Sequence, residues 1–308
     1  MAGEFDLGRG DCSTAAMPKV NGAQVLLAII AATALWYIRR WWLLERGRGQ
    51  IGPLRPADLA VGFGTNFFDT LGIGSFAPTT AIFKLFRRIP DDEIPGTLNV
   101  GQALPTLSEA LIFIAIIAID STTLITMIVA AVVGAWLGAS LVTRAPRRVI
   151  QIGMGLALLI AAALLVANNL GWLAGKGEAL GLHGGRLVFA VGVNFLLGAL
   201  MMLGVGLYAP CLILLTLLGM NPLAAFPIMM GSCALLMPVG GARFVRARRY
   251  SPGAALSLTL GGIPGVLCAA FIVRSLSIEW LRWLVAVVVI YAAALMLLSA
   301  RTPAVTEG

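Results

Sequence analysis

The sequence predicts an all-α membrane protein built as an inverted repeat. Each half is a broken-helix hairpin followed by three transmembrane helices, and one extra N-terminal helix precedes the first half. Three observations predict it. Of the 308 residues, 59% are hydrophobic and 12% charged, with a mean hydropathy of +0.93; a soluble domain carries roughly 25% charge. The octapeptide Leu71-Gly72-Ile73-Gly74-Ser75-Phe76-Ala77-Pro78 returns as Leu203-Gly204-Val205-Gly206-Leu207-Tyr208-Ala209-Pro210, each time inside a long apolar run, and Pro90 and Pro95 recur in register as Pro222 and Pro227. The third observation is how the Lys and Arg residues divide between the two sides of the membrane.

Residues 1–21 read as an N-terminal tail. The apolar stretch 22–38 reads as a retained helix. No charged segment leads directly into it and no small-residue cleavage site closes it, as a removed signal would require. It heads a unit, 22–56, that ends in a basic cytoplasmic segment, with Trp36, Trp41 and Trp42 placed as an interfacial aromatic belt. Repeat 1 covers 57–168, with a hairpin at 57–88 and spans near 96–119, 122–142 and 149–168. A glycine-rich extracytoplasmic linker, 169–186, joins it to repeat 2 at 187–300. There a hairpin at 187–219 precedes spans near 223–242, 253–273 and 280–300, and 301–308 form a C-terminal tail.

The two broken segments decide the architecture. As a single helix, 57–86 would run about 45 Å, against a hydrocarbon core of roughly 30 Å. Folded back at its Gly-x-Gly, the same stretch becomes two shorter helices whose tip lies within the protein, where irregular backbone is tolerated. If both segments return to their own side, one side keeps only Arg9, Lys19, Lys176, Arg186, Arg274 and Arg282, and the other sixteen of the 22 Lys and Arg gather opposite. If each crosses once, the division is nearly even. The positive-inside rule selects the first arrangement. Each repeat then crosses an odd number of times, so the second copy is inverted. The N-terminus is extracytoplasmic and the C-terminus cytoplasmic.

Several function classes fall away. The net charge of +8 comes from short basic clusters between spans, which is membrane topology and not a nucleic-acid surface. Cys12, Cys211, Cys233 and Cys268 form no CxxC pair, so neither a metal site nor a disulfide framework is expected. The single histidine, His183, sits in the linker. Gly72 to Ala77 matches a dinucleotide fingerprint only loosely and lacks its βαβ context, so no cofactor is expected. Gly134-x-x-x-Gly138 is compatible with a homodimer contact, although packing within one chain is its expected use.

A duplicated, glycine- and proline-interrupted apolar segment points to the substrate site of a transporter. At each tip the glycines permit a sharp turn, and the first N–H groups of the half-helix that follows carry its positive end. Such ends suit a small anion. The first tip supplies Gly72, Gly74, Ser75, Thr79 and Thr80; the second supplies Gly204, Gly206, Tyr208 and Cys211. Asn99, Gln102, Thr106 and Glu109 share one helical face, with Pro105 beside it to open the backbone. Asp69 lies just before the first tip, with Asn66 and Thr70 at helical spacing. Ser232 is the nearest polar group at the position of Asn99 in repeat 2. Ionisable residues at this depth default to function, so Asp69 and Glu109 are candidates for proton coupling. The alternative is that they pair with buried N–H groups or with an arginine such as Arg274.

These residues resemble the TauE/SafE family of sulfite-exporter-like permeases, also called the toluene sulfonate uptake permease family. The resemblance runs from about 57 to 300. It rests on the duplicated Gly-x-Gly-x-x-Ala-Pro element and on Pro90, Pro95, Pro222 and Pro227. It implies secondary transport of a small sulfur-containing or carboxylate anion across a bacterial inner membrane. Ser75 and Leu207, the Asn66-to-Thr70 segment and the extra first helix depart from the family pattern. The expected partners are that anion and the lipid bilayer. The rival readings are an anion channel and an intramembrane enzyme using Asp69 and Glu109 as an acid/base pair.

Overall fold

The computed structural model describes residues 22–47, 52–71, 73–117, 119–172, 177–204 and 206–272, with the single residues Ile290 and Leu297. The expected tails, Gly72 and, apart from Ile290 and Leu297, the expected last span at 280–300 lie outside them. The helices are α1 (Gly22–Glu45), α2 (Pro56–Thr70), α3 (Phe76–Leu85), α4 (Ile94–Gly101), α5 (Ala103–Ile116), α6 (Ser121–Val142), α7 (Arg147–Asn169), α8 (Gly184–Met201), α9 (Tyr208–Leu217), α10 (Pro222–Ala247) and α11 (Pro252–Ile272), with a short 3-10 turn at Asp91–Glu93. Five of these are long and apolar enough to cross a membrane: α1, α6, α8, α10 and α11. Large apolar side chains such as Leu141, Val188 and Phe271 stand exposed on the outside, as lipid-facing residues do.

Both expected hairpins are present, α2 with α3 and α8 with α9. Their first arms dock on the opposite half of the chain. In hairpin 1, α2 lies along α11; in hairpin 2, α8 lies along α6. The close approach comes from glycines. A Cβ at Gly261 or Gly265 of α11 would strike the carbonyl oxygens of Leu59 or Phe63, and one at Gly134 of α6 would strike that of Phe195. Two i, i+4 glycine pairs thus hold the two hairpins in reciprocal fashion, which is consistent with the expected inverted repeat. The Gly134–Gly138 stripe is covered by α8 inside the chain, so a homodimer would use another surface.

The span expected at 96–119 is not one helix. It breaks at Gln102, which ends α4 and starts α5. Pro105 has no N–H to give to the Gly101 carbonyl four residues back. Thr259 of α11 donates its hydroxyl to that oxygen instead, at 2.6 Å. The extra helix α1 packs on α5 and α10. Its Tyr37 hydroxyl donates to the Val100 carbonyl and its Trp41 indole N–H donates to the Tyr250 hydroxyl.

One end of the bundle is basic. There Arg88 pairs with Asp58 across the base of hairpin 1 at 2.8 Å, Lys84 pairs with Asp91, and Arg249 pairs with Asp92 at 2.7 Å while also donating to the Ala145 carbonyl. The other end is stapled by linker backbone. The Asp120 N–H donates to the Leu180 carbonyl, the Leu182 N–H to the Thr123 hydroxyl, and the Asn221 N–H to the Ala179 carbonyl. Asp120 caps α6, accepting from the Thr123 N–H at 2.7 Å. Those bonds to Thr123 hold its carboxyl below the usual carboxylate range. The base of hairpin 1 sits at the basic end and the base of hairpin 2 at the opposite one.

Candidate functional site

The two tips meet. A Cβ placed on Gly74 would lie 3.8 Å from the Tyr208 Cβ, and one on Gly206 would lie 3.6 Å from the Phe76 Cβ. These are reciprocal positions of the repeated octapeptide. Each tip glycine faces the first helical residue of the other hairpin; a methyl there would just touch, and a larger side chain would push the two tips apart. Gly74 has a φ of +89° and Gly204 a φ of +91°, so both turns use a backbone that non-glycine residues rarely adopt.

Ser75 precedes α3 and Leu207 precedes α9. Pro78 and Pro210 each stand third in their half-helix, in the first turn. At the first tip the helix end is already engaged. The Ser75 N–H donates to Asp69 Oδ1 at 2.8 Å, and Ser75 Oγ lies 2.9 Å from Asp69 Oδ2. Hence the alternative weighed for Asp69, pairing with a buried N–H, is part of the arrangement. Among the described residues no Lys or Arg forms an ion pair with Asp69 or Glu109; Arg274 lies outside them.

The polar face of α4 and α5 ties the tips together. Gln102, at the break, lies 2.7 Å from Ser75 Oγ through Oε1 and donates from Nε2 to Thr79 Oγ1 at 2.9 Å. Thr79 in turn donates to the Ser75 carbonyl. Glu109 joins both hairpins, with Oε1 at 2.7 Å from Thr70 Oγ1 and Oε2 accepting from the Tyr208 hydroxyl at 2.7 Å. Asn99 donates to the Pro95 carbonyl and, across the repeats, to the Met201 carbonyl at the end of α8. Ser232 of α10 accepts from Asn194 of α8. Cys211 and Thr80 are fully buried.

The structure therefore brings Asp69, Gly74, Ser75, Thr79, Gln102, Glu109, Gly206 and Tyr208 into one connected cluster. Asn99 and Ser232 contact the second hairpin further along. Gly72 is outside the described residues. Sequence reasoning passed over Asn194, an amide within the apolar run of hairpin 2. It is fully buried and donates to the Met127 carbonyl at 2.7 Å. An amide in the middle of an apolar stretch was the signal that could have found it.

Five buried polar atoms have no hydrogen-bond partner among the described residues: Asn66 Oδ1, Thr80 Oγ1, Asn99 Oδ1, Thr106 Oγ1 and Asn194 Oδ1. Such an atom costs about 1–3 kcal/mol. All five belong to the hairpins or to the α4–α5 face between them.

Fold and site together define a multi-pass helical membrane protein in which two hairpins from opposite ends meet over a polar, broken helix. The family model described as Sulfite exporter TauE/SafE matches residues 15–165. Over that segment the chain is similar to the TauE/SafE family, a family of membrane transporters and not of enzymes. The matched segment holds α1, hairpin 1, α4 to α6 and most of α7; hairpin 2 lies beyond it. No curated protein and no solved structure matches the chain.

Proposed function

We propose that the chain is a secondary transporter, working as an exporter, of a small anion such as sulfite, an organosulfonate or a related sulfur or carboxylate anion. The anion sits between the two hairpin tips near the membrane midplane. The observation that carries this reading is the reciprocal contact of Gly74 with Tyr208 and of Gly206 with Phe76, which sets the N-termini of α3 and α9 face to face. Two positive helix ends brought together suit an anion, and the five orphan polar atoms of the hairpins and the α4–α5 face suit a polar ligand better than a packed apolar core.

In this reading Gly74, Ser75, Thr79 and Thr80 serve the anion from tip 1, Gly204, Gly206, Tyr208 and Cys211 from tip 2, and Asn99, Gln102 and Ser232 from the helices between. Gly72 is assigned here by its place in the repeat alone. Asp69 and Glu109 couple the cycle to protons. The basic end faces the cytoplasm of a bacterial cell, as the positive-inside rule requires.

Proteoliposome flux of labelled sulfite, with sulfate, a sulfonate and a small carboxylate as competitors, tests the proposal at two imposed pH gradients. Saturable flux that one competitor blocks, and that responds to the gradient, supports it. Conductive flux that does not saturate means a channel. Folded protein that moves no sulfite and shows no competition sinks the anion reading.

A further inference from the structure

The site's hydrogen bonds are two protons short. Four contacts link the Asp69 cluster: Ser75 Oγ to Asp69 Oδ2 at 2.9 Å, Ser75 Oγ to Gln102 Oε1 at 2.7 Å, Gln102 Nε2 to Thr79 Oγ1 at 2.9 Å, and Thr79 Oγ1 to the Ser75 carbonyl at 2.7 Å. Each needs one proton between its heavy atoms. The Ser75 hydroxyl, the Thr79 hydroxyl and the NH2 end of the Gln102 amide supply one apiece. The remaining contact has none. Turning the amide over only moves the deficit, because Thr79 would then face two acceptors with a single proton. With the amide as placed, a proton on Asp69 Oδ2, given to Ser75 Oγ, completes the set.

Glu109 repeats the pattern. The Tyr208 hydroxyl faces Glu109 Oε2 and spends its proton there. Thr70 Oγ1 lies 2.9 Å from the Asn66 carbonyl, which only accepts, and 2.7 Å from Glu109 Oε1. With the Thr70 proton on the carbonyl four residues back, a common use of threonine in helices, only a proton on Glu109 Oε1 closes the last contact.

We propose that this conformation is the doubly protonated form of the carrier, with one proton on Asp69 and one on Glu109, and that hairpin 1 is the proton-gated element. The Asp69 proton lies within the tip of hairpin 1, on Ser75, and the Glu109 proton lies on the contact of α5 with hairpin 1, through Thr70. The contact of Glu109 with hairpin 2 runs through Tyr208, which brings its own proton. When either acid releases its proton to water, the O–H electron pair stays on the carboxylate and two acceptors face each other. The penalty falls at the tip of hairpin 1 and where it meets Gln102 and Glu109, and hairpin 2 keeps its bond. The titratable groups nearest the pair are Tyr208 and Cys211 on α9 and Cys233 on α10. On the other helices packed here, α3 carries only Lys84 at its far end, α4 none, and α11 only the partly exposed Cys268. The link from these protons to transport rests on the function proposed above; the protons themselves do not.

Infrared spectroscopy of the full chain in lipid, with carbon-13-labelled Asp and Glu, tests the proposal. At neutral pH two carbonyl bands of protonated carboxylic acids are expected, both shifting in D2O. Asp69→Asn should remove one and Glu109→Gln the other. Both amides can make the same contacts, so these variants should fold. Ser75→Ala and Thr70→Val, which keep the acids, should each move one band. Absence of both bands in folded protein overturns the proposal, and so does loss of only one band across the two acid variants. The measurement needs no substrate. Bands without sulfite flux would keep the proton sites and sink the anion reading, while flux without bands would do the reverse.

Discussion

Hairpins 1 and 2 share an octapeptide and a docking mode, yet they differ in what they do with polarity. Hairpin 1 puts Asp69, Thr70, Ser75 and Thr79 at its tip, and its base is closed by the Arg88–Asp58 ion pair, with Lys84 on Asp91 beside it. In hairpin 2, Met201 and Leu207 stand where Asp69 and Ser75 stand in the first copy. Its base is closed by backbone bonds, Ala179 N–H to the Gly219 carbonyl and Asn221 N–H to the Ala179 carbonyl. Both copies thus carry the Gly-x-Gly and its following proline, while a tip carboxylate stands in only one of them.

The largest expected effect treats the hairpins alike. Gly134→Val drives a side chain into the α8 backbone, and Gly265→Val does the same to α2. Overpacking costs about 1–3 kcal/mol or more, and here the obstacle is main chain. Both variants should lose the monodisperse peak in size-exclusion chromatography; a well-folded Gly265→Val would mean that α2 is not held by α11.

The tips come next. Gly74→Leu and Gly206→Leu should each abolish flux while the protein stays folded, because the tips touch. Alanine then separates them. Gly74→Ala imposes about 1–3 kcal/mol of backbone strain at positive φ, whereas Gly206→Ala adds a methyl at ordinary contact distance. Thermal melts should show Gly74→Ala below Gly206→Ala, and equal melts would deny that the two turns differ.

A smaller effect sharpens the chemical contrast. Asp69→Asn should flatten the pH dependence of flux and leave the protein folded, while Met201→Leu, at the matching place in repeat 2, should leave the pH profile alone. An unchanged profile in Asp69→Asn removes this residue from coupling. The smallest effect lies at the base of hairpin 2. Asp120→Ala removes the cap of α6, worth about 1 kcal/mol. Because the folded protein holds the Asp120 carboxyl below its usual range, the stabilisation is present above that range and fades as pH falls through the depressed value. The melting difference between Asp120→Ala and the parent should therefore shrink in acid; a constant difference would deny the Thr123 bonds.

Much of this was legible in the sequence because it depends on neighbours along the chain. Hydropathy over some twenty residues sets the spans, and a Gly-x-Gly with a following proline breaks an apolar run wherever it occurs. Spacings of three and four put Asn99, Gln102, Thr106 and Glu109 on one face. The membership of that face was readable; its partners were not. Pro105 marked a weak point, but Thr259, far along the chain, supplies the missing donor and lets α4 end at Gly101.

What the sequence determined by itself is a helical membrane protein of two related halves with polar groups beside two broken tips, since local composition and period suffice for that. Only the tertiary structure decided that Asp69 occupies the positive end of α3, that Tyr208 of the second half gives its proton to Glu109 of the first, and that each hairpin rests on the other half's glycines. These depend on which distant groups burial brings within 3 Å. A buried polar atom must take whatever partner the packing offers, and no local pattern names it.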